Sequence, residues 1–142
     1  MTEQHETSPK GNVWVKVILG AVGVGYLLIG LALILAPRWF FDNIGPFAPF
    51  NRHYEGDLGT FLLPVGLGLM YAAREPIRHE LFLLVVAVAS LLHASNHIYE
   101  AIAGVTPAAR VLQDTGPLVV LGLLVLAAWW GAGWRNRSLS NP

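Results

Sequence analysis

Two histidines, an asparagine and a glutamate form a polar ladder at the end of an apolar stretch of this chain. Residues 81–92 contain one polar side chain, and the stretch is followed by the ladder residues His93, Asn96, His97 and Glu100. At 100° per residue these four side chains fall within about a third of a helix circumference. The spacing therefore predicts imidazole and carboxylate groups on one helix face.

The ladder lies at a depth where a membrane helix is still in hydrocarbon. A helix that rises 1.5 Å per residue needs about 20 residues to cross a core of about 30 Å, so a span starting near His79 ends near Tyr99. Ionisable side chains at this depth are costly and usually face a bundle interior or a wet cavity. We therefore expect the ladder to face other helices.

A second set of polar residues lies at the start of the preceding apolar segment. His53, Asp57 and Thr60 lie on one side of a helix that starts near Arg52, and Glu55 points away from Asp57. If the two segments are antiparallel, Asp57 reaches about the depth of His97. We expect the two sets to form one polar cluster at one end of a bundle.

Three chemistries fit such a cluster. Histidines at i and i+4 can bind one ion, and carboxylates can complete a shell for zinc, iron or copper. A histidine between carboxylates can also carry protons near neutral pH, and a b-type haem would need imidazoles on facing helices, such as His53 and His93. The candidate metal-binding residues are His93, His97, Glu100, Asp57 and His53.

Two further interpretations need no cofactor at the cluster. Polar side chains in membranes also hold helices together by hydrogen bonds, and a bond from His93 to Asp57 would satisfy both groups. The chain would then be a non-catalytic accessory subunit of a larger membrane complex or a homo-oligomer. An enzyme that acts on a lipid or a quinone also stays open, but no catalytic residue is identified.

Composition indicates a membrane protein. The chain has 142 residues, of which 54% are hydrophobic and 13% charged, with a mean hydropathy of +0.53. Too few charges are present to cover a soluble domain of this size. Nine basic and nine acidic residues cancel, so a nucleic-acid partner is not expected. The absence of cysteine excludes disulfides and thiolate metal sites.

Four apolar segments predict an all-α integral membrane protein, a four-helix up-down bundle. The spans are expected at about 13–36, 54–73, 79–103 and 116–134, within a membrane domain of residues 13–134. Residues 1–12 are expected to be a disordered N-terminus and residues 135–142 a short tail. Glycines of the first span, with Gly66 and Gly68 of the second, predict close helix packing within the bundle or in a dimer, and Pro64 is expected to kink the second span.

The distribution of lysine and arginine predicts the orientation. The N-terminus, the second loop and the C-terminus carry six of these residues, against three in the first and third loops. Because positive charge accumulates in cytoplasmic segments, both termini are expected in the cytoplasm. The polar cluster then lies at the outer end of the bundle.

The layout resembles that of small bacterial four-helix membrane proteins of the DoxX-like kind. The points of likeness are a glycine-rich first span ending at Pro37, a loop leading into Asp57-Leu58-Gly59, and Gly66-Leu67-Gly68-Leu69 before a basic turn at 74–78. The resemblance implies a bacterial cytoplasmic-membrane protein, often an accessory subunit. It assigns no role to the ladder.

Overall fold

The computed structural model describes residues 12–139, without the side chains of 108, 109, 114 and 134–139. Within this range the chain forms helices and loops and no strand. The helices are α1 (Val13–Leu35), α2 (Pro37–Asn43), α3 (Arg52–Ala72), α4 (Glu80–Ile102) and α5 (Ala108–Leu139), with a 3-10 turn at Pro76–His79. The predicted all-α class is confirmed.

Local sequence signals explain where the helices begin and end. α1 stops where Pro37, which has no N–H, becomes the first residue of α2. Asn51 caps α3, because its side-chain oxygen accepts the backbone N–H groups of His53 and Tyr54 at 3.0 and 3.2 Å. α4 ends at Ile102, and the chain turns away at Gly104, whose φ of 75° suits glycine.

The bounds differ from the expected spans in the loops and at the C-terminus. The first loop contains α2, and α5 begins at Ala108 rather than near 116, so the loop before it is short. α5 continues to Leu139, into the expected tail. Residues 1–11 and 140–142 lie outside the described range, which leaves out all but Asn12 of the N-terminus that was expected to be disordered.

Three helical segments are long and apolar enough to cross a membrane: Val13–Leu35, Pro76–Ile102 and Arg110–Gly133. They coincide with the first, third and fourth expected spans. α3 does not reach the same hydropathy, because its first turns carry Glu55 and Asp57 and its middle contains Pro64. The chain is therefore a helical protein with membrane-type helices.

The helices are arranged as two antiparallel pairs. α1 packs along α3 and α4 packs along α5, and the pairs meet mainly through α1 and α5. Consecutive helices α3 and α4 contact each other little. Leu19, Leu69, Leu83 and Val125 are fully buried in the core between the pairs.

Two glycine pairs bring the backbones of α1 and α3 into direct contact. A Cβ atom added to Gly66 would lie 2.8 Å from the carbonyl oxygen of Gly23, and one added to Gly59 would lie 2.8 Å from that of Gly30. Real Cβ atoms do not approach so closely, so only glycine permits this packing. Gly20 and Gly25 of α1 have open space around them.

The glycine contacts predict a difference between two neighbouring substitutions in α1. Gly23→Ala should lower the stability of the detergent-purified protein by about 1–3 kcal/mol, because the new methyl group meets the Gly66 carbonyl and forces the helices apart. Thermal unfolding followed by circular dichroism measures the effect.

Gly20→Ala is the matched control, one turn away on the same helix with nothing within 4 Å of the new methyl group. Its unfolding temperature should equal or slightly exceed that of the parent protein, since alanine favours helix. Equal losses in both variants would contradict the proposed glycine contact.

Candidate functional site

The contact of Phe82 with Gly68 shows which faces of α3 and α4 meet. A Cβ atom added to Gly68 would lie 2.6 Å from the Phe82 ring, close to the turn that joins the two helices. At 100° per residue, Asp57 lies on the face of α3 that carries Gly68, and His93 lies on the face of α4 that carries Phe82. The two polar sets therefore lie on facing sides of the helices.

Beyond this contact the two helices separate. Phe61, on the Gly68 face of α3, is 74% exposed, and Pro64 and Ala89 are also exposed although they lie on the facing sides. Side chains in these positions would be buried if the helices packed along their whole length. We call the space between Phe61, Pro64 and Ala89 the α3–α4 cleft.

The polar sets lie at the same level of the cleft. Asp57 precedes Gly68 by eleven residues, and His93 follows Phe82 by eleven. At 1.5 Å per residue both lie about 16 Å from the contact. His53 and His97 form the next level by the same count, so the expected matching of depths agrees with the helix register.

A hydrogen bond joins α1 to α4. The Ser90 hydroxyl donates to the Val86 carbonyl at 2.8 Å, so the Tyr26 hydroxyl, 2.6 Å from Ser90 Oγ, is the donor to Ser90. Ser90 is buried. This bond is an interhelical polar contact of the kind that one interpretation of the ladder assigned to His93 and Asp57.

On α4 the ladder residues contact one another. The Nε2 atoms of His93 and His97 are 3.1 Å apart, and His97 Nδ1 lies 3.9 Å from Glu100 Oε2. The Asn96 side-chain amide donates to Glu100 Oε1 at 3.0 Å. The side chains of His97 and Glu100 are only 21% and 22% exposed, whereas His93 is open to the cleft.

The end of α4 leaves two buried oxygens unsatisfied. Among the described side chains, Glu100 Oε2 and Thr106 Oγ1 are buried without a hydrogen-bond partner. The turn at Gly104 folds Thr106 back, and its N–H lies 3.4 Å from the Glu100 carbonyl. Glu100 Oε2 is thus an acceptor held ready for a ring N–H of His97.

On α3 the polar residues are more exposed. His53 Nε2 lies 3.3 Å from Asp57 Oδ2, with side chains 87% and 59% exposed. They line a shallow depression of about 430 Å³ together with Arg52 and Gly56. The Thr60 hydroxyl donates to the Asp57 carbonyl, one of the helix's own backbone groups.

Glu55 is a buried carboxylate that sequence reasoning set aside. It is 5% exposed and shares its face of α3 with Gly59 and Gly66, the glycines that contact α1. It does point away from Asp57, as expected, but toward the α1 side. Gly59 follows Glu55 by four residues, and Gly66 follows Gly59 by seven. This spacing places all three on one face of the helix and could have indicated the burial of Glu55.

The polar residues pair within each helix. Across the described residues, no hydrogen bond or ion pair joins His53 or Asp57 to the ladder, and no group of three or more His, Asp or Glu side chains is placed to hold a metal ion. The five candidate metal-binding residues therefore remain a prediction. The side chain of Asp114, the acidic residue just before the expected fourth span at this end of the bundle, lies outside the described residues.

The His93–His97 pair has the spacing of a two-nitrogen chelate. Two imidazole nitrogens bound at 2.0–2.1 Å to one ion, at a near-tetrahedral angle, lie about 3.3 Å apart. The observed 3.1 Å is close to this value. A b-type haem fits less well, because His53 is directed at Asp57 on its own helix.

No family model matches the chain, and neither a curated protein nor a solved structure is significantly similar to it.

Proposed function

We propose that this chain is a multi-pass protein of the bacterial cytoplasmic membrane that binds a transition-metal ion at the outer end of α4. Four helices, α1, α3, α4 and α5, would cross the bilayer, with both termini in the cytoplasm. The single observation that carries the metal site is the convergence of the His93 and His97 Nε2 atoms at 3.1 Å. The proposal gives the protein a binding function and assigns no reaction.

The packing of α3 supports its role as the fourth crossing. The two glycine pairs hold α3 along α1, which is apolar enough to cross. A helix in antiparallel contact with a membrane-crossing helix over most of its length lies at the same depth. Its polar first turns then lie at the outer boundary, where Asp57 and His53 can meet water.

Glu100 is suited to orienting His97 rather than to binding the ion itself. Its Oε2 atom lies on the Nδ1 side of the ring, away from the Nε2 atom that faces His93. A ligating histidine usually donates its other N–H to such a carboxylate, which fixes the ring and makes it a better ligand. Asn96 in turn fixes Glu100 through its hydrogen bond.

The remaining ligands would come from the opposite wall or from solvent. Asp57 and His53 lie at the levels of His93 and His97, and their side chains are exposed. A closer approach of α3 and α4 would add a carboxylate or a third imidazole to the two nitrogens of α4. Zinc, copper and iron all accept such a donor set.

A role as a non-catalytic accessory subunit is the second candidate. Gly20 and Gly25 on α1 have no neighbour within 4 Å and offer space for a helix of another membrane protein. In that case the purified protein would bind no ion, and substitution of the ladder histidines would reduce assembly or stability only.

Metal titration separates these candidates. The protein is purified in detergent, stripped with a chelator and titrated with Zn²⁺ and Cu²⁺ by calorimetry. We expect about one ion per chain, and His93→Ala or His97→Ala should abolish binding with an unchanged circular dichroism spectrum, because each removes one of two converging nitrogens.

His79→Ala is the control, since His79 lies beside Tyr71 near the turn at the other end of α4. It should bind the ion like the parent protein. Absence of binding by the parent, or its retention in both ladder variants, would refute the metal site.

Glu100→Gln tests the orienting role. The amide cannot accept the His97 N–H as strongly, so the affinity for the ion should fall by about 10–100-fold without loss of stoichiometry. Glu75→Gln, an exposed site paired with Arg78, is the control. A complete loss of the ion in Glu100→Gln would make Glu100 a ligand, and an unchanged affinity would remove it from the site.

Whether α3 crosses the membrane is tested with single-cysteine variants, because the chain has no cysteine of its own. In intact cells, a membrane-impermeant maleimide should label Asn43→Cys and Val105→Cys, which lie in the proposed outer loops. Glu75→Cys, in the proposed cytoplasmic turn, should react only after lysis. Labelling of both Asn43→Cys and Glu75→Cys would contradict the crossing of α3, and labelling of Glu75→Cys alone would contradict the proposed orientation.

A further inference from the structure

The first loop, residues 36–51, exposes large apolar side chains. Trp39, Ile44 and Phe47, which we call the loop apolar set, are 54%, 44% and 47% exposed. Residues 43–51 contain no charged side chain, whereas residues 74–80, between α3 and α4, contain four. Exposed apolar side chains on such a segment mark contact with a membrane or with another protein.

The remaining aromatic rings of the loop hold its charges in place. The Phe41 and Phe50 rings meet edge to face with their centroids 5.3 Å apart, and the Arg38 guanidinium lies 5.7 and 5.2 Å from these two centroids. Arg38 Nε also donates to Asp42 Oδ2 at 2.9 Å. The two charges of the loop therefore pair with each other, and the loop apolar set takes no part in these contacts.

The length of α1 places the loop at the membrane surface. α1 has 23 residues and is about 35 Å long, slightly more than a hydrocarbon core of about 30 Å. Leu28 and Leu35 lie seven residues apart on one face and are 62% and 77% exposed, so the lipid-facing side of α1 extends to its last residue. α2 follows at once and contacts both α1 and α3. The loop apolar set thus continues the lipid-facing surface of α1 beyond the end of the helix.

We propose that the first loop binds the interfacial layer of the bilayer, with Ile44 and Phe47 among the upper carbons of the acyl chains and Trp39 at the level of the glycerol groups. An indole suits this level because it joins an apolar ring to one polar N–H. Since Arg38 and Asp42 neutralise each other, the contact depends on apolar area and does not select a charged head group.

This inference rests on the crossing of α1 in the proposed function, and neither on the metal site nor on the orientation of the chain. The loop lies at a membrane surface whichever side of the membrane it occupies. A label at Leu28, within α1, reports the crossing separately from the position of the loop.

The experiment measures the depth of single fluorescent labels. The full chain carrying Ile44→Cys, Phe47→Cys, Leu28→Cys or Glu75→Cys is labelled and reconstituted in phosphatidylcholine vesicles. The vesicles contain lipids with a nitroxide quencher either near the head group or near the middle of the acyl chain. Glu75 is the control, because it lies in the charged turn and pairs with Arg78.

Labels at Ile44 and Phe47 should be quenched by the shallow nitroxide about threefold more strongly than the label at Glu75, and iodide in the water should quench them less. The label at Leu28 should respond most to the deep nitroxide. Replacing half of the phosphatidylcholine by phosphatidylglycerol should leave the quenching in the loop unchanged.

The two quenchers separate the other occupants of this surface. Loop labels that respond to iodide and not to nitroxide would place the loop in water, and labels shielded from both would show a protein, such as a second copy of the chain, on this surface. Either result, with quenching at Leu28 retained, would overturn this inference alone. Loss of quenching at Leu28 would overturn the crossing of α1 and this inference together.

Discussion

The direct contact of the α1 and α3 backbones determines the rest of the arrangement. Gly23 against Gly66 and Gly30 against Gly59 fix the register and the rotation of α3 at once, since each pair leaves no space for a methyl group. With that face committed to α1, the opposite face of α3 turns toward α4. Asp57 faces the cleft and Glu55 faces α1 for the same geometric reason, although both are carboxylates of one helix end.

The contacts of the polar residues follow from this division of the helix faces. The ladder makes its contacts along α4, so none of its hydrogen bonds holds α4 to α3 among the described residues. The link between helices is instead the Tyr26–Ser90 bond, deeper in the bundle. The side chains that join α1 to α4 are thus different from the polar side chains at the mouth of the cleft, the level of Asp57 and His93. That separation leaves the imidazoles of His93 and His97 available to a ligand.

Hydropathy and glycine spacing predict much of this structure, because both depend on one helix at a time. The three apolar helices, the end of α1 before Pro37 and the contacts within the ladder follow from local spacing. The separation of α3 from α4, the burial of Glu55 and the Tyr26–Ser90 bond depend on how helices rotate against each other. A single sequence records that rotation only indirectly. The early start of α5 was concealed because Arg110, Gln113 and Asp114 interrupt the apolar pattern before Gly116.

The two walls of the cleft belong to different helix pairs, which has a mechanical consequence. α3 packs along α1 and α4 packs along α5, while the buried core, the Tyr26–Ser90 bond and the Trp14 ring over Gly131 join the two pairs. The two pairs therefore form two arms that are joined away from the mouth of the cleft. A relative rotation of about 10° would change the width at the mouth, about 16 Å from Phe82, by about 3 Å. The width of the opening therefore depends on the angle between the two helix pairs.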